Sequence, residues 1–153
     1  MATWAEFESA APEIAAAGKE LLYQYGVGLA YLATLRKDGA PRIHPICPTV
    51  VNGRLYALLG LSYKRADLRR DGRYALHTFP RRDRDDEFLV TGRGRFVDDR
   101  VVADTVRADL IARGMKSSAD EFPFEFGVER VMHAEYAGGP GTWPPKYSVW
   151  RER

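Results

Sequence analysis

Between residues 29 and 97 the chain repeats short apolar runs, each closed by Gly, Asp, Asn or Pro, and this rhythm predicts strands. Residues 29–35 (LAYLATL) make the first. Asp38-Gly39 turns the chain, because glycine accepts positive φ, and residues 40–50 (APRIHPICPTV) return. The return run contains Pro41, Pro45 and Pro48, which donate nothing to a ladder, so it is expected to be irregular or to border a gap. Asn52-Gly53 makes the next turn and residues 54–59 (RLYALL) the third strand, which predicts a three-stranded antiparallel meander. Residues 62–70 switch to a helix opened by Ser62 as N-cap and stopped by Asp71-Gly72. Residues 73–79 and 87–97 are the fourth and fifth strands, and Gly92 and Gly94 in the latter mark a bulge or a close backbone approach.

The pattern changes at both ends. Residues 3–25 read as helix in two pieces, with Pro12 in the first turn of the second and Ile14, Leu21 and Tyr25 facing the core. Gly26 and Gly28 then release the chain into the first strand. Asp98 or Asp99 caps a helix to about Arg113, whose Val102, Val106 and Leu110 form a stripe that should pack on the sheet. Residues 122–136 are a sixth strand, 137–145 a Gly- and Pro-rich loop and 146–151 a seventh strand. There is no alternation of strand and helix, and Gly92-Arg93-Gly94 lacks the third glycine and following helix of a dinucleotide fingerprint. The expected fold is mainly β, one domain over 1–153: an antiparallel meander or Greek-key β-barrel with flanking helices.

Composition narrows the function by exclusion. With 23 basic and 21 acidic residues the net charge is +2, too balanced to imply nucleic acid, and the aromatics fall in core-like positions rather than along a basic groove. One cysteine, Cys47, permits no internal disulfide, and no metal-ligand spacing is present. These features, with no leader-like N-terminus and no run long enough to span a bilayer, suggest a cytoplasmic protein without membrane or metal partners.

Candidate chemistry centres on residues 61–70 (LSYKRADLRR). A Ser N-cap leaves amides pointing outwards at the positive end of the helix, and Lys64 and Arg65 in the first turn add charge that is locally unfavourable without an anion. A phosphate seat follows, set against a capped helix whose basic face meets water. His44 shares a strand face with Arg42 and Ile46, suited either to a ligand or to a strand edge. His77 reads as structural, His133 has no role, and Cys47 reads as an inert thiol. Residues 81–86 (RRDRDD) read as a solubilising loop. Trp143, Tyr147 and Trp150 read as interface anchors or as cover for a ligand. No catalytic acid, base or nucleophile can be named.

Four segments, ATLRKDGAPRIHPI, RLYALLG, SYKRADLRRDGRYALHTF and EFLVTGRGRFV, resemble in their order and spacing the pyridoxamine 5'-phosphate oxidase-like family, the FMN-binding split barrels, over residues 29–97. The resemblance implies a homodimer with FMN between protomers and a flavin-dependent oxidation or reduction of a small organic substrate. It implies flavin contacts, largely through backbone, at Arg42, Ile43, His44, Pro45, Ile46 and Cys47, with Leu58 and Leu59 nearby. Ser62, Lys64 and Arg65 would hold the phosphate, and Glu87 would touch the flavin. Residues 146–153 lack the Arg and His pattern that holds a pyridoxal substrate, so vitamin B6 oxidation is not implied. Relatives of this length also use a deazaflavin coenzyme or bind haem, leaving a deazaflavin-dependent reductase or a non-enzymatic flavin or haem binder as alternatives.

Overall fold

The computed structural model describes residues 1–139 and 141–153; Pro140, within the expected 137–145 loop, lies outside the described residues. Twelve elements follow in order: α1 (Trp4–Ala10), α2 (Pro12–Tyr23), β1 (Ala30–Leu35), β2 (Pro41–Ile46), β3 (Thr49–Val51), β4 (Arg54–Leu59), α3 (Tyr63–Arg70), β5 (Arg73–Thr78), β6 (Glu87–Phe96), α4 (Arg100–Ala112), β7 (Phe122–Glu135) and β8 (Lys146–Arg151). The N-terminal helix divides at Ala11, with Pro12 opening α2 where its missing N–H costs no bond. Thr3 and Glu6 cap α1 reciprocally. Tyr25, expected in the core, lies beyond the end of α2, is exposed, and donates its hydroxyl to the Pro80 carbonyl.

Both antiparallel pairings of the expected meander form, 41–46 with β1 and 49–51 with β4, but not as one contiguous three-stranded unit. The return run divides at Cys47–Pro48, and its two parts lie at opposite margins of one antiparallel sheet of order β2-β1-β5-β6-β7-β4-β3, with β8 added on β7. Pro41 and Pro45 are tolerated because β2 is a margin strand, and Pro48 ends the run. Ile46 and Thr49 are three residues apart, so the two margins lie within about 11 Å of each other at 3.8 Å per residue. The sheet must therefore curl round on itself, and the result is a split barrel. The short strand β3 is pinned by side chains: Thr49 donates to Asp109 of α4, and the Val50 amide donates to the Tyr23 hydroxyl of α2 at 2.8 Å.

The barrel is filled by Trp4, Phe7, Phe88, Phe124 and Phe126, all at most 1% exposed. Gly18 lets α2 lie on the Phe88 ring; a Cβ there would stand 2.3 Å from it. The bulge expected in the fifth strand falls between Thr91 and Gly92, where β6 and β7 approach so closely that a Gly92 Cβ would lie 2.0 Å from the Gly127 carbonyl oxygen. α4 buries Val106 and Leu110 on a second cluster with Tyr56, as its stripe predicts. Trp150 packs on Phe7 with ring centres 5.2 Å apart, whereas Trp143 and Tyr147 are exposed. The 81–86 loop is more than a solubilising segment: Asp86 is buried and accepts the Tyr136 amide at 2.8 Å.

Candidate functional site

Helix α3 begins where β4 ends, and its first turn is electrostatically open. The Ser62 hydroxyl accepts the Arg65 amide at 3.4 Å and donates to the Gly60 carbonyl at 3.2 Å, so it is spent on the cap. The amides of Tyr63 and Lys64 have no intrahelical acceptor, and the turn contains no acidic residue. Among the described residues neither Lys64 nor Arg65 makes a salt bridge. The Arg65 guanidinium instead rests on the rings of Phe96 and Phe122, 5.6 and 5.4 Å from their centres.

The residue that organises this corner is one the sequence reading passed over. Asp67, three residues after Lys64 in α3, is buried. It accepts from Arg42 of β2 at 2.8 Å, from Arg70 at 3.0 Å and from Thr34 of β1 at 3.2 Å. Burial works against its charge, but these hydrogen bonds outweigh it and hold its carboxyl below the usual carboxylate range. The one available signal was an acid set among cations on a single helix face. Arg42 spends only Nε on Asp67 and lies 4.9 Å from the centre of the Tyr63 ring; its two terminal nitrogens make no hydrogen bond among the described residues.

A group held below its ordinary pKa stabilises the fold above that pKa and loses the contribution as pH falls through the lowered value. Asp67→Asn is accordingly expected to cost about 2 kcal/mol near neutral pH, the scale of hydrogen bonds to a charged group. The gap to wild type should narrow in acid. Urea unfolding at pH 7 and pH 3 tests this, and a gap that stays constant between them would assign the stability to another group.

The register of β1 and β2 decides which residues face inwards. Arg42, His44 and Ile46 stand opposite Thr34, Leu32 and Ala30, all buried, whereas Ile43, 65% exposed, and Pro45 face outwards beside Tyr31. Ile46 and Leu59 belong to the main core, so only their backbones are available to a ligand. Leu58 and Cys47 pack partly against the α4 cluster, and burial, reinforced by Glu121, pushes the Cys47 thiol up, in keeping with an inert role. His44 is held below its usual pKa by burial and by Lys64 and Arg42, against the pull of Asp67, so it is neutral near pH 7. Its Nε2 is buried without a partner among the described residues.

Arg42, His44 and Lys64 thus lie close together where Arg42 of β2 reaches Asp67 of α3, whereas Ser62 serves the cap and Arg65 turns towards Phe96 and Phe122. Glu87 does not join them within one chain. It opens β6, seven residues from Gly94, which lies under Leu68 of α3, a separation of roughly 23 Å along a strand. His77 lies on the outer face opposite Tyr31, its Nδ1 2.7 Å from the Thr78 carbonyl. Beyond Arg42 a groove of about 570 Å³ continues between α3 and the β1–β2 hairpin, lined by Arg36, Lys37 and Arg70 as well as Asp38.

No protein-family model matches the chain, and no curated protein does. Solved structures do match. A protein from Clostridium acetobutylicum related to general stress protein 26, of the pyridoxinephosphate oxidase family, is similar at 12% identity and TM-score 0.66, over 89% of this chain and 92% of that one. A NimC/NimA family protein from the same organism is similar at 16% identity and TM-score 0.61, over 87% and 91%. A haem binding protein from Mycobacterium smegmatis is similar at 16% identity and TM-score 0.65, covering 89% of this chain but only 57% of its own. Identities this low carry the fold alone, and together with the curled antiparallel sheet and its four helices they show that the chain has the split-barrel fold of these pyridoxamine 5'-phosphate oxidase-like structures.

Proposed function

We propose that the chain binds FMN in a groove completed by a second copy of itself and acts as a flavin-dependent oxidoreductase on a small organic substrate. The observation that supports this best is the convergence of Lys64, Arg42 and His44 at the open first turn of α3, in a fold shared with pyridoxinephosphate oxidase family proteins. The residues present fit the cofactor: two free amides, a Lys64 unpaired among the described residues and the unspent Arg42 nitrogens suit a phosphate, and the unpaired backbone edge of β2 suits a ring and its ribityl chain. When bound, the flavin supplies hydride or single-electron transfer at its ring. The chain's part is to anchor the phosphate, align β2 and keep His44 neutral. Ile43 and Pro45, exposed on the strand that carries Arg42 and His44, give a second copy an apolar surface beside the groove.

The basic groove beyond Arg42 favours a second reading, a deazaflavin coenzyme with a longer acidic tail, for which Arg36, Lys37 and Arg70 lie in line. Native mass spectrometry, followed by side-by-side titration with FMN and deazaflavin, tests both. The expected result is a dimer carrying one FMN per chain. Preferential uptake of deazaflavin supports the second reading. A colourless protein that takes up neither overturns both, a haem absorption band transfers the site to haem, and flavin held without turnover by any electron donor makes the chain a carrier.

A further inference from the structure

The end of the barrel away from α3 contains a cavity that the flavin reading does not use. It has a volume of about 280 Å³ and lies between α2, the 81–86 loop and the β7–β8 pair. Its walls are tied by ion pairs. Arg81 bridges Glu20 of α2 at 2.5 Å and Asp83 at 2.8 Å, and the buried Asp86 takes Arg84 at 3.0 Å and the Tyr136 amide at 2.8 Å. Those groups are spent on holding the frame.

Other lining groups are unpaired among the described residues: His133, Glu135 and Ser148 are half-buried, and Glu13 and Lys146 stand at the exposed mouth. His133 stands opposite Ser148, and Glu135 opposite Lys146, across the β7–β8 ladder, while Glu13 comes from α2. Among the described residues none of these five side chains makes a hydrogen bond or salt bridge, even though Glu135 and Lys146 are direct cross-strand neighbours of opposite charge. Nε of Arg84 is buried at the same wall without a partner. Cross-strand neighbours of opposite sign attract, and buried polar groups ordinarily find partners, so the half-buried Glu135 and the Arg84 Nε are the groups that call for one.

The chemistry of the lining selects the occupant. Two carboxylates and an ammonium remain available, with an imidazole and a hydroxyl between them, and α2 adds an apolar strip of Ile14, Ala17 and Leu21. Carboxylates and an ammonium at one cavity suit an organic ligand carrying both charges. The space equals roughly nine waters at about 30 Å³ each, the size of a small metabolite. We propose that this cavity binds a free aliphatic α-amino acid. Its ammonium lies between Glu13 and Glu135, its carboxylate on Lys146 and Ser148, and its side chain along the apolar strip of α2.

Calorimetric titration of the intact protein with L-leucine tests the site. Isoamylamine, which lacks the carboxylate, and 4-methylpentanoate, which lacks the ammonium, serve as probes of each charge. Leucine is expected to bind, and each single-charge analogue to bind at least about tenfold more weakly, the effect of losing one charge-assisted contact. Glu135→Gln is expected to weaken leucine binding about tenfold while FMN uptake is unchanged. Lys146→Met, at an exposed position, provides the same test should the first variant fold poorly. Absence of heat with leucine, equal binding of either analogue, or leucine binding indifferent to both substitutions overturns the proposal. The flavin reading stands or falls separately, because none of these residues belongs to the α3 corner.

Discussion

Lys64→Glu is expected to weaken FMN binding by about a hundredfold or more while the melting temperature stays within about 2 °C of wild type. The two halves of this result have separate causes. Lys64 is the second residue of α3 and has no ion pair to lose among the described residues, so folding does not depend on its charge. A glutamate there meets the positive end of the helix dipole, a contact worth about 0.3–1 kcal/mol in favour of the fold. Binding responds in the opposite sense. The charge-assisted contact to a phosphate, about 1.5–3 kcal/mol, disappears, and a like charge takes its place beside the ligand; a hundredfold corresponds to about 2.7 kcal/mol. The substitution also removes one of the two cations that hold His44 below its usual pKa, so the His44 titration, followed by NMR, should move upwards. Flavin fluorescence titration and a thermal melt on the same samples check the other two. Lys64→Arg should stay within a few-fold of wild type, and FMN affinity in Lys64→Glu within threefold of wild type would remove α3 from the phosphate site.

Local grammar was legible in the sequence where a single turn or cap decides the conformation. Ser62 caps α3 as read, Asp71 ends it, and the strand over residues 54–59 has its expected limits. Asn52 and Gly53 adopt the positive φ values, 49° and 70°, that an Asn-Gly hairpin turn requires, and Gly39 does the same at 84°. What could not be read was adjacency. The three prolines announced an irregular strand, but whether β2 and β3 would share a margin or occupy opposite ones depends on β5, β6 and β7, which arrive later in the chain. A period of two carries no information about which strand comes next to which.

The site followed the same division. The cationic turn was visible because its charges are contiguous. Asp67 was not distinguished because two of its partners, Thr34 of β1 and Arg42 of β2, are brought to it only by the fold, and Arg70 alone is local. Asp86 was missed for a similar reason: six charged residues in a row read as a solvated loop, yet one of them turns inwards to serve a backbone amide fifty residues away. The resemblance located the candidate residues along the chain, and burial then separated side chains from backbones. Ile46 and Leu59 are committed to the core, while Arg42 and His44 remain available.

Gly28→Ala is expected to produce the larger loss of stability, about 3 kcal/mol, seen as a fall in melting temperature of roughly 6–12 °C for a chain of this length. Gly28 precedes β1, and the backbone passes so close to the joint between β2 and β3 that a Cβ would stand 1.8 Å from the Pro48 carbonyl oxygen. The clash is with backbone, so no side-chain rotation relieves it; either the entry to β1 or the Cys47–Pro48 link must move. That link is the covalent closure of the split barrel, and β2, which it anchors, carries Arg42 and His44. The substitution should therefore weaken FMN binding as well, measured well below the lowered melting temperature so that unfolding does not contribute. Gly26→Ala is the control. Gly26 has φ of 86° and nothing within 4 Å of its would-be Cβ, so its substitution bears backbone strain without a clash, about 1 kcal/mol, and leaves the joint in place. Equal melting temperatures and equal flavin affinities for the two variants would mean that the joint yields freely, and the alignment of β2 would then have to come from its ladder with β1 and the Arg42–Asp67 contact.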